Sequence, residues 1–263
     1  MYRADLEVLV PLVRQAAAEE LLSRFRRVGS RHKADGSLIT EADLAMQQRL
    51  IEELQSRWPN RQLLGEEMTA AEQQARLRSG GEGVWCLDPL DGTRNFASGF
   101  PVFAVSLALI VEGEVVLGLV LDPVGDECFT AVKGEGAWLD GEPLDLADAD
   151  GELAGTLAIA DLKRLPDPIA CRLATEPPFA SQRSIGSVAL DWCWLAAGRA
   201  QLYVHGRQNL WDYAAGRLVF SEAGGHHGTL EAETAGPVDL VPRSAVGAVG
   251  QRRFERWRDW LRD

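Results

Sequence analysis

Cysteine is scarce in this chain, and what there is lies scattered. Cys86, Cys128, Cys171 and Cys193 form no CxxC pair, so no thiolate metal or redox motif is written here. No charged-then-apolar leader opens the sequence, and with lone thiols that reads as a cytoplasmic protein with reduced cysteines. No apolar run approaches the roughly 20 residues that span a bilayer, so no membrane helix is expected. A basic excess is missing too: the formal net charge is −12, which argues against nucleic acid or an anionic membrane as partner. There is no GxGxxG and no P-loop, hence no nucleotide cradle of those kinds. Internal repeats and low-complexity segments are absent.

What is there is ordinary for a soluble globular protein. At 263 residues, 46% apolar and 25% charged, the chain can bury a sizeable core as one large domain or two joined lobes. The acidic stretch from Asp145 to Glu152 suggests a junction, giving lobes 1–145 and 146–263.

The chain is organised around Val84 to Phe96. A short apolar run reads as a buried strand that delivers Asp88 and Asp91 into a turn. Pro89 fixes one backbone angle and Gly92 permits a sharp turn. Two carboxylates this close repel unless a cation sits between them. Asp-Pro and Asp-Gly are also ordinary turn dipeptides whose oxygens cap local backbone, so both readings stand at this point.

The flanking patterns supply partners. An amphipathic helix is expected from Leu6 to Arg27, with Pro11 kinking it or delaying its start. A polar loop containing Lys33 and Asp35 leads through Thr40 and Asp43, close to a capping box, into a helix ending near Trp58. Leu63–Gly65 reads as a strand ending at Glu66 and Glu67, and parallel strands deliver such ends to a common edge. From Phe100 to Leu144 the pattern is an antiparallel meander. The second half gives a strand at Thr156–Ala160, a short helix before Ser184, a helix from Gly186 to Ala197, and a strand at Ala200–Val204. A helix opening at Leu210-Trp211-Asp212, then a last strand and a terminal helix, complete it. His226-His227 reads as two surface residues on opposite faces of a strand, and Trp192 and Trp194 as core or subunit-interface residues.

Gly65-Glu66-Glu67, Asp88-Pro-Leu-Asp91-Gly-Thr93 and Trp211-Asp212 with Gly224-Gly225 resemble, in order and spacing, the inositol monophosphatase family, over nearly the whole chain. The resemblance implies an α/β fold of layered αβαβα type, with an antiparallel meander sheet in the first half and a smaller sheet in the second. It implies a metal-dependent phosphomonoesterase, usually a homodimer, acting on a small phosphorylated substrate with two or three Mg²⁺ ions. The metal ligands it implies are Glu66, Asp88, Asp91 and Asp212, with the Leu90 carbonyl. The catalytic residues are Thr93, which orients the attacking water, its partner Asp43, and Glu66. Substrate contacts fall on Gly92, Thr93, Gly186, Ser187, Val188, His205 and Asp212.

Substrate identity divides the signals. His205 stands where inositol phosphatases carry a hydroxyl-binding Glu, seven residues before the late metal Asp, and a partly exposed strand-end histidine is an equal reading. The proline-rich segment from Leu165 to Ala180 looks trimmed. Lys33-Ala-Asp35 resembles the adenosine 3′,5′-bisphosphate nucleotidases, whereas the Gly186–Asp191 helix resembles the bacterial inositol type. Inositol monophosphate is the foremost substrate. A nucleotidase, a fructose-1,6-bisphosphatase, a histidinol phosphatase or a non-catalytic phosphate-binding protein are the alternatives.

Overall fold

Apolar residues at helical spacing place Leu6, Leu9, Val13, Ala16 and Ala17 on the buried stripe of α1 (Tyr2–Ala17), which continues as a π-turn to Leu22. Pro11 does not delay this helix; it faces solvent inside it. The computed structural model describes residues 2–25, 30–32, 38–79, 81–147, 151–233 and 238–262. Lys33 and Asp35 lie outside the described residues.

A two-stranded ribbon, β1 (Ser30–His32) and β2 (Leu38–Thr40), feeds α2 (Glu41–Arg57). β3 (Gln62–Gly65) follows, then α3 (Ala70–Ser79) and β4 (Val84–Asp91), all of whose residues are buried. After α4 (Thr93–Ala97), the meander runs through β5 (Ala104–Val111), β6 (Glu114–Asp122), β7 (Glu127–Val132), β8 (Gly136–Leu139) and β9 (Glu142–Leu144). These strands form a seven-stranded sheet in the order β3-β4-β5-β6-β7-β8-β9, antiparallel except where β4 runs parallel to β3.

The second half builds a five-stranded sheet. β10 (Leu157–Asp161), a 3₁₀ turn (Leu162–Arg164) and α5 (Asp167–Thr175) precede β11 (Ser181–Arg183), a short strand with no periodic sequence signal. Then come α6 (Val188–Ala196), β12 (Leu202–Gln208), α7 (Leu210–Glu222), β13 (His226–Gly228), β14 (Arg243–Ala248) and α8 (Gln251–Arg262). The sheet order is β11-β10-β12-β14-β13, with β10 parallel to both β11 and β12.

Three apolar clusters give the layering. One lies under α1 and α2 on the outer face of the first sheet. The second fills the space between the sheets around α6 and α7. The third lies between the second sheet, α5 and α8. The result is the expected αβαβα sandwich. Its centre is tight: a Cβ on Gly118 of β6 would meet the Ala215 carbonyl of α7 at 2.8 Å. His227 departs from the surface reading. It is pressed edge-on to Trp192, shares a 2.8 Å hydrogen bond between Nε2 and the Ser221 hydroxyl, and is driven by burial to a pKa of about 3.

Candidate active site

The pairing of β4 with β5 slips between Asp88 and Asp91, and this irregularity carries the two aspartates. The Leu90 N–H donates to Asp88 Oδ1 at 3.0 Å, closing the turn through Pro89. Gly92 adopts φ 90°, a left-handed value that favours glycine, and is the N-cap of α4. Thr93 opens that helix. Its hydroxyl lies 3.0 Å from the Leu90 carbonyl and 3.2 Å from Asp43 Oδ1.

Asp43 reaches this point because Thr40 caps α2. The Thr40 N–H and hydroxyl both donate to Asp43 Oδ2, at 2.7 and 2.5 Å, a complete capping box. The local cap and the long-range contact to Thr93 therefore coexist in one carboxylate. Burial raises the Asp43 pKa, the Thr40 bonds oppose the rise, and the Glu66 charge adds to it.

Asp212 arrives by the same device from the other half. The Asn209 N–H donates to Asp212 Oδ2 at 2.8 Å in a second capping box, at the start of α7. A bond from the Ser106 hydroxyl of β5 to the Trp211 carbonyl, 3.0 Å, ties that helix start to the first sheet. Asp91 Oδ2 accepts from the Ser187 hydroxyl and, at 2.8 Å, from the Ala189 N–H, so the start of α6 is fastened to it. Asn95 donates to the Ile185 carbonyl at 2.9 Å, holding the approach to Gly186.

The acids crowd one another. Asp88, Asp91 and Asp212 are raised above the ordinary carboxylate range, first by burial. The Glu66 charge also acts on all three, Asp91 and Asp212 act on Asp88, and Asp91 acts on Asp212. Among the described residues, no three His, Cys, Asp or Glu side chains converge at metal-ligand spacing. The donor set fits a hard divalent cation through its chemistry: clustered carboxylates in a buried, mutually repelling arrangement that a positive charge relieves.

His205 is 3% exposed and faces Asp161, not solvent. Val188 is half-buried at the start of α6. Sequence reasoning did not single out Asp161, Arg164, Ser106 or Asn209. Only Asn209, a residue of N-cap type three before Asp212, carried a local signal.

A sequence model of the inositol monophosphatase family matches residues 2–257. Inositol monophosphatase 1 of Solanum lycopersicum is 36% identical over 201 residues, covering 74% of this chain and 72% of its own. A Sus scrofa inositol monophosphatase 1 is 30% identical over 261 residues, covering 95% and 91%. The Nus factor SuhB of Pasteurella multocida is 36% identical over 198 residues, covering 73% and 72%. Among solved structures, a Thermotoga maritima IMPase superposes with TM-score 0.82 at 26% identity, over 99% of this chain and 98% of its own. The layered fold, the paired carboxylates and these likenesses agree: the chain belongs to the inositol monophosphatase family and is a phosphatase.

Proposed function

We propose that this phosphatase is Mg²⁺-dependent and hydrolyses a small phosphorylated alcohol, with inositol monophosphate the foremost substrate. One observation carries the reading: buried Asp88, Asp91 and Asp212 lie within electrostatic reach of Glu66, beside a Thr93–Asp43 pair. A pure binder has no use for that pair.

Glu66, Asp88, Asp91 and Asp212, with the Leu90 carbonyl, would hold the metal, which supplies polarisation of the ester and a more acidic water. The protein groups do the rest. Donation from Thr93 to Asp43 Oδ1 leaves the Thr93 oxygen free to accept a hydrogen bond from a water, aligning it for attack. Burial makes Asp43 a better proton acceptor than a surface carboxylate. The Gly92 and Thr93 backbone N–H groups, at the start of α4, would hold phosphate oxygens, and phosphoryl transfer asks chiefly for such alignment and charge stabilisation. Gly186, Ser187 and Val188 would line the alcohol side.

A Staphylococcal IMPase-II solved with bound 2′AMP, TM-score 0.81 and 26% identity over 99% of this chain and 94% of its own, keeps a nucleotide ester as the second reading. The test is phosphate release with Mg²⁺, with and without Li⁺, from inositol monophosphate, adenosine 3′,5′-bisphosphate, fructose 1,6-bisphosphate and histidinol phosphate. Turnover of the inositol ester above the others is expected. No release from any of the four would move the chain to the binding-protein reading.

A further inference from the structure

Helix α7 carries one basic residue, Arg217, in a run that is otherwise apolar from Ala214 to Phe220. At about 100° per residue it stands roughly 140° round the helix from Asp212. Tyr213, four residues before Arg217, shares its side, and the Arg217 guanidinium lies 4.6 Å from the Tyr213 ring centre. Both residues line a small cavity between α7 and strands β13 and β14, with Thr229, Arg243 and Ser244 among the residues facing them. The cavity has a volume of about 10 Å³, room for one guest the size of a water molecule.

The polar groups of this lining divide unevenly. Its acceptors are already engaged: Gln208 Oε1 takes the Trp192 Nε1–H at 3.2 Å, and the Ser244 oxygen takes the Leu230 N–H at 2.9 Å. The Ser244 hydroxyl in turn donates to Glu231 Oε2 at 2.6 Å. Thr229 Oγ1 accepts from the Ala232 N–H at 2.9 Å, which leaves the Thr229 proton to give. Tyr213 is 2% exposed, and its hydroxyl has no partner among the described residues. Arg243 is paired with Asp239 at 2.6 Å, whereas Arg217 makes no ion pair and no side-chain hydrogen bond among the described residues. Burial lowers the Arg217 pKa and the Arg243 charge adds to the fall, as expected of a guanidinium without a counter-charge. A water placed here would find donors on several sides and little to receive its own protons; an anion would be matched by every one of them.

We propose that this cavity binds a single-atom anion of the chloride class, with the Arg217 guanidinium and the Tyr213 hydroxyl as its principal ligands and Thr229 as a further donor. The volume excludes a phosphate or sulfate, and the surplus of donors selects a negative guest. Bound there, the anion compensates a charge that is otherwise buried alone inside an acidic protein. It also ties α7, the helix that presents Asp212 at its start, to the strands of the second sheet. The site is independent of which ester the carboxylate cluster cleaves.

The test melts the whole, metal-free protein in sodium chloride and in sodium gluconate at equal ionic strength, so that no anion is drawn to a bound cation. Chloride is expected to raise the melting temperature by about 3 °C or more, along a saturating curve. Tyr213→Phe should demand about tenfold more chloride for the same gain, the loss of one hydrogen bond to a charge. Arg217→Met should abolish the gain and, in gluconate, melt no lower than the wild type, because no lone charge is then buried. Should Arg217→Met fail to fold, bromide soaked into wild-type crystals decides: its anomalous peak is expected between Arg217 and the Tyr213 hydroxyl. A water at that point, an equal chloride gain in Arg217→Met, or sulfate acting as well as chloride overturns the proposal. A bromide peak without any melting shift is binding at crystal concentration only, and overturns it too.

Discussion

The starts of α2 and α7 are built alike and end up chemically different. Each opens with a capping box, and each third residue is an aspartate that the box turns toward the same site. Asp43 is bonded at both oxygens: Thr40 donates twice to Oδ2, and Thr93 lies against Oδ1. Asp212 receives one backbone bond, at Oδ2. A carboxylate engaged on both sides is fixed where it orients the Thr93 hydroxyl, whereas one anchored at a single oxygen can turn the other to a cation. A device that stabilises a helix end by about 1 kcal/mol thus also aims a reactive group.

The most damaging way to test that contrast is to neutralise the aspartate held at one oxygen. Asp212→Asn retains an oxygen for the Asn209 bond, so the fold should survive by circular dichroism while phosphate release falls by about 1,000-fold or more, as expected when a metal ligand is lost. Turnover within a few-fold of wild type would remove Asp212 from the metal set. Asp43→Asn should cost less, on the order of 100-fold in kcat with little change in KM, the size typical of general acid–base help. Thr93→Ala should match it, and the double variant should be no worse than either single one. Multiplying losses would mean that the two do not act as a unit.

A smaller effect separates charge from architecture. Asp91 is raised to about 6 in the folded protein, against 3.8 for an unperturbed aspartate. The folded state therefore holds more protons than the unfolded chain between those values, and this group's contribution to stability falls as pH rises from about 4 to about 6. Metal-free Asp88→Asn, which removes one of the repelling charges, should melt higher than metal-free wild type at pH 8. Added Mg²⁺ should stabilise the wild type and not the variant. A lower melting temperature for the variant would mean that Asp88 is held by more than its Leu90 bond.

The smallest expected effect lies in the caps themselves. Thr40→Ala should cost about 1 kcal/mol of stability by denaturant titration, and Asn209→Ala less, because the Asn209 side chain makes no cap hydrogen bond. Only Thr40→Ala should also lower kcat, because Asp43 loses its side-chain donor, whereas the Asn209 backbone N–H survives its substitution. Equal kcat losses would erase the distinction between the two helix starts.

Much of this was legible along the chain because it is local. Asp88, Leu90, Asp91, Gly92 and Thr93 sit in one turn, and strand pattern, proline and glycine announce that turn. The end of α7 at Glu222 and the meander from β5 to β9 follow from periodicity and glycine stops. What stayed hidden depends on register. Asp161 and His205 are 44 residues apart and meet because β10 and β12 lie side by side. β11 and β13, three residues each, are too short to show a period. His227 looked superficial since nothing near it in sequence reveals Trp192.

The bond from Ser106 to the Trp211 carbonyl has a consequence for the order in which the molecule assembles. It joins a strand of the first sheet to the helix start that carries Asp212, 105 residues away in sequence. The late carboxylate comes into reach of the early ones only after α7 has docked between the sheets. If α7 docks after the rate-limiting step, a cation held by the full carboxylate set binds only after that step. Mg²⁺ should slow unfolding in proportion to its stabilisation and leave the refolding rate nearly unchanged, a split that stopped-flow chevrons with and without the ion would reveal.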